Sequence, residues 1–209
     1  MFPFPPRSAA ETAASCTAVP SEASPSLAGS LLVASPALAE GPFARSVIFL
    51  CAHSPGRGAM GLVVNRRLSQ PGLDDVLAQL GIDPVPPRRR IDLCAGGPVD
   101  EARGFVLHSS DWTGAGSLPV DDGTTLTASQ DVLKDIADGA GPRRALLALG
   151  HASWQDDQLE DEIIHRNAWL PAPASDAILF GGGHSLKWRQ ALAAINLDPM
   201  QLTAATGHA

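Results

Sequence analysis

The stretch CAHSPGRGAMGLVVNRR, Cys51–Arg67, decides how the chain is read. Its centre, Gly56-Arg57-Gly58-Ala59-Met60-Gly61, matches the G-x-G-x-x-G spacing that cradles pyrophosphate in dinucleotide-binding proteins. That reading needs a helix starting inside the glycine motif, because the helix N-terminus supplies the N–H groups and the dipole that hold the phosphates. The residues after the glycines, Leu62-Val63-Val64-Asn65, make a poor helix start, and helical spacing begins only near Leu73. Upstream, Ser46-Val47-Ile48-Phe49-Leu50-Cys51 is apolar without alternation, as in a strand buried on both faces. The glycines therefore join two strands, with Pro55-Gly56 and Gly58 supplying turn geometry. No cofactor is expected.

Working outward, Leu73–Leu80 spaces its apolar residues at i, i+3, i+4 and i+7 and predicts a helix stopped by Gly81. Asp83–Arg90 is a proline-broken loop whose three arginines read as solvated. Ile91–Ala95 reads as a strand running into Gly96-Gly97-Pro98-Val99, a turn that needs permissive backbone, and Gly104–His108 as the next strand. Thr127-Ala128-Ser129-Gln130 has capping-box spacing before a helix with Val132, Leu133, Ile136 and Ala137 inward. Arg144–Gly150 reads as a buried strand, and Ser153 as the cap of a helix through Leu159, Ile163 and Ile164. Ala177–Phe180 reads as a short strand, Ser185 as the cap of a helix burying Trp188, Leu192 and Ile195, and Asp198-Pro199 as the start of a last short helix. Strands and helices interleave, but with hairpin-like pairs between them. A single α+β domain with a mixed sheet fits better than a doubly wound parallel sheet.

The chain of 209 residues suffices for one substantial core. Its 15 basic and 22 acidic residues give a net charge of −7, which argues against a phosphate backbone as the main partner. Cys16, Cys51 and Cys94 show no C-x-x-C spacing, so a reducing cytoplasm is the simpler home. Residues 1–26 are rich in Ala, Ser and Pro and lack the apolar run of a signal peptide; we read them as a disordered tail ahead of a single domain, 27–209. No run approaches the roughly eighteen apolar residues of a membrane span.

Several segments together resemble the YqgE/AlgH family. They are Leu31–Pro36, Phe43–Ile48, His53, Gly58–Gly61 and Asn65-Arg66, then Gly96–Val99, Arg103–His108, Trp154, Gln158-Leu159-Glu160, Glu162-Ile163 and Trp169-Leu170. Trp188-Arg189 and the closing Gly207-His208-Ala209 complete the order, so the resemblance spans roughly 27–209. It implies an α+β fold in which helices surround a strongly bent sheet, part of it closed like a small barrel. It implies no agreed biochemical activity; some members carry a transcriptional-regulator label. The chain departs from the family pattern at Ala52, Arg67, His151, Ser153 and Asp157, the last standing where a glycine is usual.

No catalytic motif stands out. Gly150-His151-Ala152-Ser153-Trp154 is not the G-x-S-x-G elbow of a hydrolase. The acidic run Asp156, Asp157, Glu160, Asp161 and Glu162 suits the first turns of a helix, and no metal site is expected from it. On that helix Gln158 and Glu162 share a face, whereas Glu160 points elsewhere. The candidate ligand or partner site comprises His53, Asn65, Gly96, Gly97, His108, Trp154, Gln158 and Glu162. His53 and His108 end predicted strands and carry rings that titrate near neutrality. These residues favour a non-catalytic regulatory or binding module whose partner is a small molecule or a protein. An enzyme would require His53, His108 and Glu162 to converge in one pocket. A DNA-binding regulator would require a basic reading element, which is missing.

Overall fold

A computed structural model describes residues 25–83 and 91–199. The first 24 residues of the expected tail, the loop from Pro84 to Arg90 and the closing Gly207-His208-Ala209 lie outside the described residues. The strands are β1 (Ser30–Ala34), β2 (Val47–Ser54), β3 (Gly58–Val63), β4 (Asp92–Ala95), β5 (Val99–Ser109), β6 (Ser117–Pro119), β7 (Thr124–Thr127), β8 (Ala145–Trp154) and β9 (Trp169–Pro173). The helices are α1 (Leu73–Gln79), α2 (Asp131–Ala137), α3 (Gln158–Ile164), α4 (Asp176–Phe180) and α5 (His184–Ala193).

The opening glycine stretch is a hairpin. β2 and β3 pair antiparallel from Ile48↔Val63 to Ser54↔Gly58, and no helix follows the glycines. Gly58 is required by close approach as well as by its φ of +101°, since a Cβ there would lie 2.5 Å from the Trp154 carbonyl oxygen. The strands run in the order β6-β7-β5-β8-β3-β2-β1-β9, with β4 paired parallel to β8. β8 serves two neighbourhoods. Its first half, Leu146–Leu149, lies between β4 and β5, and its end, Ala152–Trp154, pairs with β3. A strand shared in this way bends the sheet, which curls into an open half-barrel of mixed α+β type.

Burial on both faces explains the unalternating strand patterns. Val47, Ile48, Phe49 and Leu50 have no exposed surface. Leu31, Val33, Val47 and Phe49 face α4 and α5 through Ile178, Leu179, Ala191 and Leu192. Leu32, Ala34, Ile48 and Leu50 face the opposite way and pack with Trp154, Leu159 and Trp169. A further core joins α1 and α2 to β4, β5 and β8 through Leu77, Val132, Ile136, Leu93, Val106 and Leu147. Each such aliphatic side chain contributes about 1.5–3 kcal/mol relative to exposure.

Four local expectations are corrected. Ala177–Phe180 belongs to a helix, because the Ser175 Oγ accepts the Ile178 N–H and starts α4; a four-residue apolar run carries no period of its own. Ser153 is an exposed strand residue opposite Met60, and α3 begins later, after Asp157. Thr127 is buried in β7 and caps nothing; Ser129 instead accepts the Asp131 N–H at the head of α2. α5 starts at His184 with Gly183 at the cap, two residues ahead of the expected cap Ser185. The burial of Trp188, Leu192 and Ile195 against one core is as expected.

Candidate functional site

The tryptophans and the acidic helix meet at one carboxylate. Gln158 and Glu162 are one turn apart on α3, and the Gln158 Nε2 donates to Glu162 Oε1 at 2.9 Å. Glu162 Oε2 accepts the indole N–H of Trp154 at 3.0 Å and that of Trp169 at 2.7 Å. The two indoles stand edge to face with centroids 5.9 Å apart, and Phe43 meets Trp169 edge-on at 5.7 Å. Trp154 ends β8 opposite Ala59 of β3, and Trp169 opens β9 opposite Ala34 of β1, so the sheet sets their separation. α3 is anchored on this face by Leu159, which has no exposed surface.

Beside the carboxylate lies a cleft of about 240 Å³. Phe43, Val99, Trp154 and Trp169 form its apolar walls, and Ser153, Gln158, Glu162 and Arg166 are its polar members. Arg166 is itself paired with Asp161 at 2.7 Å. The cleft is aromatic, narrow and acidic at one spot. It suits an apolar group that ends in an N–H donor or a cation, which indole faces and a carboxylate both attract.

Glu160 points away from the cleft, as its place on α3 implies. Its Oε1 accepts the Gly56 N–H at 3.2 Å and meets His53 Nε2 at 3.1 Å. His53 Nδ1 accepts the Leu27 N–H at 2.8 Å, so the neutral ring carries its proton on Nε2 and donates it to Glu160. Burial pushes the Glu160 carboxyl up, but the hydrogen bonds from backbone N–H groups and His53 outweigh it and hold it below its ordinary value. This pair ties the β2–β3 turn to α3.

His108 sits on β5, wholly buried, with Nε2 2.8 Å from the Thr127 hydroxyl and Nδ1 2.9 Å from the Ser109 carbonyl. Neither His53 nor His108 lines the cleft. Asn65 fixes backbone, its Oδ1 accepting the Val47 N–H and its Nδ2 donating to the Arg45 carbonyl. Gly96 and Gly97 are places of close backbone approach; a Cβ on Gly97 would lie 2.1 Å from the His151 carbonyl carbon. Of the eight expected residues, the structure therefore gathers Trp154, Gln158 and Glu162 into one site. His53, Asn65, Gly96, Gly97 and His108 hold the scaffold. Trp169 and Phe43 line the same cleft, and the sequence does not mark them among the candidates. The pairing of two indole donors with one carboxylate is the signal for Trp169, but it becomes visible only when β1 brings β9 alongside.

Burial pushes the Cys51 thiol up to about 12, so it is no nucleophile near neutrality. Among the described residues no group of three or more His, Cys, Asp and Glu side chains is arranged to hold a metal ion, and no helix is long and apolar enough to cross a membrane.

The bent half-barrel with α3 laid across one end is a fold shared with solved proteins. The AlgH protein of Pseudomonas aeruginosa superposes with a TM-score of 0.70 at 42% identity, covering 88% of this chain and 96% of that one. A Corynebacterium diphtheriae protein, DIP2367, shares the fold at a TM-score of 0.64 and 22% identity, with 88% and 93% covered. A UPF0301 protein of Gluconobacter oxydans is 64% identical over 183 residues, 88% of this chain and 98% of its own length. The AlgH-like family model matches residues 31–200, and the chain belongs to that family.

Proposed function

We propose that this chain is a non-catalytic regulatory or binding module that acts in the cytoplasm and whose binding site is the Trp154–Trp169–Glu162 cleft. The observation that carries the reading is the state of Glu162. Three N–H donors fix its carboxylate beside an aromatic cleft, and among the described residues no histidine lines that cleft to exchange a proton with it. A carboxylate so held is a recognition group more than a general base. The cleft is smaller than the usual range of pockets for drug-sized ligands, about 300–1,000 Å³, and matches a single anchoring side chain or a small amine. The free, buried Cys51 and Cys94 support a reducing compartment.

The test is a thermal-shift and calorimetric screen against small aliphatic and aromatic amines and against peptides ending in Lys or Arg, with duplex DNA as a further arm. A ligand should bind the wild type and lose at least tenfold in affinity, about 1.4 kcal/mol, in Glu162→Gln. Glu162→Gln keeps the shape and a carbonyl acceptor for the indoles. Binding that is unaffected by Glu162→Gln, or a response confined to DNA, would remove the reading.

A further inference from the structure

The other side of the loop that carries Phe43 presents the opposite charge. Phe43 lines the tryptophan cleft, while the next residues, Ala44 and Arg45, line a separate cavity of about 490 Å³. Arg66 and Arg189 enter the same cavity, and no carboxylate lines it among the described residues. In a chain of net charge −7 this local surplus is unexpected. Arg143, Arg144 and Arg166 each have a carboxylate partner. Among the described residues Arg45, Arg66 and Arg189 have none within ion-pairing distance.

Arg45 and Arg66 are held by neutral groups, so their charge stays available. Arg45 has a left-handed backbone, φ +55°, and its carbonyl accepts the Asn65 Nδ2 at 2.8 Å. Its guanidinium lies over the Trp188 indole at 5.8 Å, and that indole is fixed by its own N–H to the Ala34 carbonyl. Arg66 donates from Nη2 to the Ala44 carbonyl at 3.3 Å. Arg189 follows Trp188 on α5 and is exposed.

We propose that this cavity binds a small molecule bearing a diphosphate or longer phosphoryl chain. Guanidinium forks match phosphoryl oxygens bidentately, and three of them lining one cavity offset a charge of −2 to −3 that a lone carboxylate would not supply. The cavity falls within the roughly 300–1,000 Å³ range of small-ligand sites. Arg45, Arg66 and Arg189 line one concavity, as a small ligand requires, whereas a nucleic-acid track needs basic groups along a face.

The test is isothermal titration of the full chain with inorganic pyrophosphate, then with adenosine diphosphate and with a single-stranded oligonucleotide, at fixed low salt. Saturable one-to-one binding of pyrophosphate is expected, weakened at least tenfold in Arg189→Ala and further in Arg189→Glu. Arg189 is exposed, so both variants should keep the wild-type melting curve; Arg45→Lys, which retains charge but loses the fork, should also weaken binding. Tighter binding of the nucleotide than of pyrophosphate would identify a nucleotide as the source of the phosphoryl chain, and equal affinity would identify the bare phosphoryl group. Absence of saturable pyrophosphate binding, equal affinity in Arg189→Glu, or binding of the oligonucleotide that pyrophosphate does not displace would overturn the proposal.

Discussion

A histidine without exposed surface must settle both ring nitrogens against its neighbours, and His108 shows how. The Ser109 carbonyl can only accept, so Nδ1 carries the proton. In the neutral ring Nε2 then accepts the Thr127 hydroxyl, and Ser117 in turn donates to Thr127 at 2.8 Å. Burial pushes the His108 pKa below its ordinary value, only partly offset by the Ser109 carbonyl and by Asp111. Between its lowered value and the ordinary value near 6.5 the unfolded chain binds a proton that the folded chain refuses, so stability falls as pH drops through that window. His184, also lowered chiefly by burial, adds to the same slope. Urea unfolding from pH 7 to pH 5 should therefore show a shallower decline in His108→Gln than in the wild type, with the remainder due to His184. Parallel declines in the two proteins would show that His108 does not titrate as argued. Sequence alone makes His108 a site candidate because a histidine at a strand end is chemically versatile. It cannot show the threonine and tryptophan that enclose it, since Thr127 and Trp112 reach it only through the fold. Trp154, Gln158 and Glu162 are legible because a helical turn and the family blocks place them in register.

Elements defined by an apolar period are legible in the sequence, and those defined by a turn or by threonine are not. β2, β3, α1 and α2 announce themselves by unbroken or i, i+3, i+4 apolar residues. β7, Thr124-Thr125-Leu126-Thr127, is buried yet mostly hydroxylic, and its polar groups find partners on β5, on β6 and in nearby loops. The expected start of α3 falls too early because β8 runs four residues beyond the expected Gly150, through Trp154. Gln155, Asp156 and Asp157 separate strand from helix there, and Asp157 is left-handed, at φ +59° with no side-chain cap bond. A residue with a Cβ in that region costs roughly 1–2 kcal/mol, less for Asp than for most. Asp157→Gly should thus raise stability by about 0.5–1 kcal/mol, read as a higher urea midpoint at unchanged slope. A lower midpoint would mean that the Asp157 side chain supports the helix in some way its missing cap bond does not suggest.

At the scale of the molecule, the strong bend of the sheet is expected from family resemblance, while its cause, one strand shared by two neighbourhoods, is hidden in pairings between residues as far apart as Ala59 and Trp154. The apolar face of α5 is legible, but the polar tie between α4, α5 and the exit of β3 is not, because a lysine makes it. Lys187 has 1% exposure, and its Nζ joins the exit of β3 at Val64, 3.0 Å away, to the end of α4 at Leu179, 2.8 Å away, while its backbone belongs to α5. Three elements meet on one ammonium where sequence analysis would place a solvated side chain. Burial drives its pKa below the ordinary value of about 10.4, and the nearby Cys94 and Asp92 only partly restore it. Below the lowered value the folded chain bears the cost of a buried charge. As pH rises from there towards 10.4, the unfolded chain retains a proton that the folded chain has released, so this group's effect on stability becomes more favourable. The neutral amine still donates to both carbonyls. In Lys187→Met those carbonyls lose their donor, at about 1–3 kcal/mol each, and the alkaline gain disappears. The variant should be less stable than the wild type at pH 7, and the gap should widen as pH rises towards 10.4 in urea titrations. A gap that narrows with pH would mean that the lysine stabilises the fold chiefly as a cation, and that the carbonyls are secondary.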